Sequence, residues 1–154
     1  MTIIQKIQNK EAIIGVVGLG YVGLPLILAF SVKGYRCIGF DIDQSKIDHI
    51  KAGRSYIDHI DSSSLKSGVD ASLIDATTDF ASIADVDAII MCVPTPLDQH
   101  LEPDLSYVTD TMDTVAPYLR NGQVVSLEST TYPGTSDEEL KPRIEAQGFS
   151  VGVR

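Results

Sequence analysis

Residues Ile13–Val32 read IIGVVGLGYVGLPLILAFSV, twenty residues without a charge. A run of that length and polarity could span a bilayer, and Lys6 and Lys10 ahead of it give it the outline of a signal peptide. Four glycines, a proline and the lack of a small-residue cleavage site argue against both. A strand, a glycine turn and a buried helix written end to end produce the same run, because an inner strand of a parallel sheet and its helix are covered on nearly all sides. On that reading Gly18-Leu19-Gly20-Tyr21-Val22-Gly23 is a G-x-G-x-x-G that follows a strand and opens a helix. Gly18 makes the tight turn, Gly20 lets the backbone approach a pyrophosphate, Gly23 packs the helix on the strand, and the helix N-terminal amides face the phosphates.

Working outward, Asp41 closes the next β-branched run, twenty-three residues after Gly18. A carboxylate there accepts hydrogen bonds from an adenine-side ribose and repels the extra phosphate of NADP, so NAD is the expected cofactor. Asp41 alone also suits a helix or turn cap. Lys46, five residues on, either reaches the adenosine end or is a solvated helix lysine.

The rest of the chain alternates strands and helices. Strands are expected at Ala12–Val17, Arg36–Asp41, Ile74–Thr77, Val86–Val93, Gln123–Leu127 and Phe149–Val153. Helices are expected at Tyr21–Lys33, Gln44–Ala52, around Ser63–Gly68, at Leu105–Leu119 and at Thr135–Gln147, after a polar leader from Met1 to Glu11. Gly34, Gly53, Gly122 and Gly148 stand where left-handed helix caps fall, and Asp43 and Asp104 where N-caps fall. This alternation implies an α/β fold, a Rossmann-type doubly wound parallel sheet in three layers with strand order 3-2-1-4-5-6. It occupies residues 1–154 as one domain.

The chain has 154 residues, 44% of them hydrophobic and 21% charged, which suits a single globular core. Twelve Lys and Arg against 21 Asp and Glu give a net charge of −9 with no basic cluster, which speaks against nucleic acid or an anionic membrane surface as partner. Cys37 and Cys92 lie in apolar runs on strands separated by the first, about 10 Å apart across the sheet, too far for a disulfide. A reducing, cytoplasmic setting is expected. Neither these cysteines nor His49, His59 and His100 have metal-ligand spacing, so no metal site is expected.

The segments IGVVGLGYVGLPL, GFDIDQSKI, ATTDF, DAIIMCVPTPL, EPDLSYV and ESTTYPGT together resemble the UDP-glucose/GDP-mannose dehydrogenase family over nearly the whole chain. The leader KIQNKEAIIGVVG, the segment Ser55-Tyr56-Ile57 and the run Leu127–Thr135 are most similar to the branch that oxidises UDP-N-acetylhexosamines, UDP-N-acetylglucosamine above all. The resemblance implies that Gly18, Leu19, Gly20, Tyr21, Val22 and Gly23 wrap the NAD pyrophosphate and that Asp41 and Lys46 hold the adenosine portion. It further implies that Val93, Pro94, Thr95 and Pro96 line the dinucleotide, that Ser129 and Thr131 sit near the nicotinamide, and that Thr130 positions water at the reacting carbon. On the residues alone, Ser129–Thr131 also suits a helix-entry loop rich in capping hydroxyls.

The implied reaction oxidises C6 of the sugar to a carboxylate with two NAD, through a cysteine thiohemiacetal and thioester. The resemblance implies that the cysteine, a lysine, the central helix and the UDP-sugar domain come from segments beyond this first domain. Isolated, it is expected to be inactive, and the longer protein to be a homodimer or larger. Other readings of the residues are a stand-alone dinucleotide-binding module or remnant, a dehydrogenase of UDP-glucose or UDP-N-acetylmannosamine, and a β-hydroxyacid-type dehydrogenase, which the VPTP and ESTTYPGT segments disfavour.

Overall fold

The computed structural model describes residues 1–152. Five parallel strands, β1 (Ile13–Val17), β2 (Arg36–Phe40), β3 (Ile74–Thr77), β4 (Ala88–Met91) and β5 (Val124–Leu127), form one sheet in the order β3-β2-β1-β4-β5. Side chains alternate between its two faces. Ile14 and Val16 of β1, with Cys37 of β2, join Leu24 and Ile27 of α2 (Gly23–Val32), Ile47 and Ile50 of α3 (Gln44–Lys51) and Leu65 of α4 (Ser62–Asp70) in one core. Val17, Phe40, Ile89 and Met91 face the other way, onto Val108, Met112 and Val115 of α5 (Ser106–Val115). Each fully buried side chain of this kind contributes roughly 1.5–3 kcal/mol.

The uncharged run of Ile13–Val32 thus divides into β1, the glycine turn and the ten-residue α2. Among the described residues no helix is long and apolar enough to cross a membrane. Gly34, Gly53, Gly122 and Gly148 all have positive φ, as their places after helices require.

Several expectations are corrected. The sixth strand does not form among the described residues: Gly148 and Gly152, both at positive φ, bend the segment Phe149–Gly152 away from an extended path, and Val153 lies outside the described residues. The polar leader, to which the sequence pattern assigns no element, carries α1 (Ile3–Gln8), opened by a capping box in which Thr2 accepts from the Gln5 amide and Gln5 accepts from the Thr2 amide. The helix expected at Leu105–Leu119 ends at Val115 and tightens into a 3₁₀ turn at Ala116–Tyr118. That at Thr135–Gln147 becomes a π turn at Ser136–Leu140 followed by α6 (Lys141–Glu145). Pro117 and Pro142 have no N–H to continue a regular ladder. Finally, Cys92 is not inside β4 but one residue beyond it. Cys37 pairs with Ile14 while Cys92 follows Met91, the partner of Val17, so the two residues are offset by about 13 Å along the strands as well as separated across them. Both are free.

Candidate functional site

The carboxyl ends of β1, β2, β4 and β5 open onto a cleft of about 860 Å³. At its centre is the glycine turn. Gly18 has φ +92°, and a Cβ there would lie 2.6 Å from the Cys92 carbonyl oxygen. At Gly23 a Cβ would meet the Gly18 oxygen at 1.8 Å, so this glycine lets α2 start directly against the turn. Gly20 is the opposite case: nothing lies within 4 Å of the position a Cβ would take, and the residue faces the open cleft. The helical pattern begins here, with Leu24 N–H donating to the Gly20 carbonyl, so the amides just ahead of Leu24 have no carbonyl behind them.

Asp41, immediately beyond β2, is buried and held by three hydrogen bonds. Its Oδ2 accepts from the Leu19 amide at 2.9 Å and from Lys46 Nζ at 3.2 Å, and its Oδ1 accepts from the Asp43 amide at 3.0 Å. Lys46 is brought there by α3, whose N-cap is Asp43. The expected aspartate and lysine therefore meet each other as well as the cleft. Leu19 is held a second time, since its carbonyl accepts from the Tyr56 hydroxyl at 2.5 Å.

On the far side of the cleft, Val93, Pro94 and Thr95 follow β4, and Ser129 and Thr130 follow β5. Ser129 Oγ donates to the Val93 carbonyl at 2.7 Å and ties the two loops together. Thr130 is exposed on the rim. Three expected residues do not line the cleft. Gly23 starts α2 against the turn, Thr131 follows the last lining residue of its loop, Thr130, and the Pro96 carbonyl accepts from the Asp104 amide at the base of a bridge between Leu97 and Pro103.

The sequence reading missed Tyr107, Asp110, Thr111 and Thr114, which line the cleft from α5. Their spacing of three, one and three residues marks one helical face, opposite the apolar face of Val108, Met112 and Val115, and that periodicity was the available signal. Cys92 also lines the cleft. Burial, and then the Glu128 carboxylate, push its thiol up to about 11, while burial pushes Cys37 up to about 12. Both are neutral thiols at ordinary pH and neither is an activated nucleophile. The arrangement suits binding: a backbone turn open to an anion, a carboxylate poised at one end, hydroxyls at the other. The space above Gly20 is open, and any side chain at that position would enter it.

Residues 12–153 match the model of the NAD binding domain of the UDP-glucose/GDP-mannose dehydrogenase family. The chain is 36% identical over 136 residues to a UDP-N-acetyl-D-glucosamine 6-dehydrogenase of Pseudomonas aeruginosa, covering 88% of this chain and 31% of that protein. It is 38% identical over 128 residues to a UDP-N-acetyl-D-mannosamine dehydrogenase of Escherichia coli K12, covering 82% and 30%. A crystal structure of a ternary complex of GDP-mannose dehydrogenase from Pseudomonas aeruginosa superposes with a TM-score of 0.86 at 32% identity, over 91% of this chain and 34% of that one. The chain spans about a third of the length of the curated relatives it matches.

Proposed function

The chain belongs to the UDP-glucose/GDP-mannose dehydrogenase family as an NAD-binding domain, and from that premise we propose that it is the dinucleotide half of an NAD-dependent nucleotide-sugar 6-dehydrogenase acting on a UDP-N-acetylhexosamine, UDP-N-acetylglucosamine first among them. The observation that carries this reading is the unfilled space over Gly20, bounded on one side by the tethered Asp41. In this assignment the amides of Gly18–Gly23 receive the pyrophosphate, and Asp41 with Lys46 holds the adenine-side ribose. Val93, Pro94 and Thr95 border the dinucleotide, and Ser129 stands toward the nicotinamide. NAD supplies a hydride acceptor. The chain's own residues bind and orient it, and Thr130 holds water beside the reacting carbon. Among relatives, both the glucosamine and the mannosamine enzymes match at similar identity, and the choice of glucosamine rests on the Ser55-Tyr56-Ile57 and Leu127–Thr135 segments.

The glycine turn is open and both cysteines are buried, so isolated 1–154 is expected to bind NADH without oxidising a UDP-sugar. Calorimetry with NADH and NADPH, and absorbance at the NADH band with UDP-N-acetylglucosamine and NAD, test both halves of the statement. Binding of NADH over NADPH without turnover is expected. Equal binding of the two, or turnover, overturns the corresponding half. Gly20→Val places a branched side chain where the phosphates approach. It removes several charge-assisted hydrogen bonds at once, at least about 3 kcal/mol or roughly a hundredfold in affinity. A folded Gly20→Val protein that binds NADH like the parent refutes the assigned turn.

A further inference from the structure

The segment between α3 and α4 crosses behind the glycine turn and is locked in place. Gly53 turns the chain at φ +66° against Lys66, where a Cβ would lie 2.9 Å from the Lys66 Cα. The Ser55 hydroxyl donates to the Ile57 carbonyl at 3.0 Å and accepts from the Ile57 amide at 3.1 Å, and the Ser55 amide donates to Ser62 Oγ. Ile57 is buried in the core on the α2, α3 and α4 face. Between these anchors stands Tyr56, half-buried against that core, with the His49 ring edge-on at 6.0 Å. Three residues on, the His59 ring stacks on Tyr21 of the turn, with centroids 6.1 Å apart.

We propose that Tyr56 is the positioning residue of the phosphate turn: by donating to the Leu19 carbonyl it fixes the peptide that aims the Gly20 amide into the cleft. This rests on the cofactor reading above. A trans peptide carries its C=O and N–H on opposite sides, so holding the Leu19 oxygen against the core face turns the Gly20 N–H the other way, toward the cleft that Gly20 lines. The preceding peptide is fixed independently, because the Leu19 N–H donates to Asp41. Gly20 itself supplies no such restraint, since a residue without Cβ rotates freely and nothing packs near it. Tyr56 therefore removes the one cheap way for the turn to misorient. Burial, with the Asp41 and Asp43 carboxylates nearby, pushes the phenol above its ordinary value, so the hydroxyl stays protonated and remains a donor.

The test is Tyr56→Phe in the full chain, which keeps the ring and deletes the donor. Calorimetry with NADH and NMR titrations with ADP and with adenosine separate the phosphate turn from the adenosine end. NADH and ADP are expected to bind about threefold to tenfold more weakly, the worth of one hydrogen bond, and adenosine within twofold of the parent. The Gly20 amide of the unliganded variant should also exchange faster with solvent. Unchanged NADH and ADP affinity, or an equal loss for adenosine, overturns the positioning role. A parent chain that does not bind NADH overturns the cofactor reading, and this role with it, without any variant being made.

Discussion

Asp41 and Asp87 are buried aspartates at opposite ends of the same sheet, and locally they look alike. Asp41 accepts from one lysine and two backbone amides. Asp87, just ahead of β4, accepts from Lys6 at 2.6 Å, Arg120 at 2.8 Å and the Ile13 amide at 3.0 Å. They differ in what lies beyond. Asp41 stands where strands end and borders the large cleft, whereas Asp87 stands where strands begin, covered by α1, which Lys6 carries onto it. In an open parallel sheet the carboxyl ends, where the strand order reverses, are where ligands bind. The same side chain with the same kind of partners is accordingly a ligand-facing group at one end and a clasp at the other.

The comparison breaks first at the clasp, where the largest effect is expected. Asp87→Asn keeps the shape and an acceptor for Ile13 but removes the charge between two cations, costing about 3 kcal/mol of stability while NADH affinity stays within a factor of about two. The pH dependence has a definite sign. Burial pushes the Asp87 carboxyl up, but the hydrogen bonds from Lys6, the Ile13 amide and Arg120, with the Lys6 charge, outweigh it and hold the group below the usual carboxylate range. A depressed acid stabilises the fold above its unfolded value, about 3.9, and loses that contribution as pH falls through the folded value. Melting curves of parent and variant should therefore stand apart at pH 7 and begin to approach one another only as pH falls below about 4. Curves separated equally at both ends would show that the charge is not the stabilising element.

At the other end, Asp41→Ala is expected to weaken NADH by about 2 kcal/mol, roughly thirtyfold, and to narrow the gap between NADH and NADPH. Its melting temperature also falls, because the Leu19 amide loses its acceptor, but less than that of Asp87→Asn. Calorimetry that returns the parent's affinities for both dinucleotides would make Asp41 a clasp like Asp87 and end the contrast.

The two aspartates also differ in how readable they were. Asp41 announces itself by its distance from a glycine motif, because a short crossover between adjacent strands ties sequence separation to position in the cleft. Asp87 gives no such sign. Its partners Lys6 and Arg120 are far off in sequence, and Lys6 reaches it only because α1 exists, which the Thr2–Gln5 capping box encoded but the polar composition of the leader obscured. The order of the five strands was legible from the alternation of strands and helices together with right-handed crossovers. Strand and helix ends were not, because Pro117 and Pro142 change the hydrogen-bond pattern without breaking the apolar spacing. The α5 wall of the cleft was hidden for a related reason: Asp110, Thr111 and Thr114 resemble any solvated helix face until the sheet places a cleft beside them.

The smallest effect on this chain itself belongs to Thr130, which sharpens the comparison because it has the place of Asp41 without the tethers. It stands at the carboxyl end of β5 on the cleft rim, exposed, while its neighbour Ser129 makes the bond that joins the two loops. If stability follows tethers, Thr130→Ala in this chain changes the unfolding free energy by less than about 0.5 kcal/mol and leaves NADH affinity alone. If function follows position, the same substitution in a longer, active protein lowers kcat, with general acid–base assistance worth about 10²–10⁴-fold as the upper guide. A hydroxyl that merely capped the following segment would behave the other way round, costing roughly 1 kcal/mol of stability and no turnover. A melting curve on this chain and steady-state kinetics on the longer protein separate the two. Lowered stability with normal turnover would place Thr130 with the clasps rather than with the chemistry.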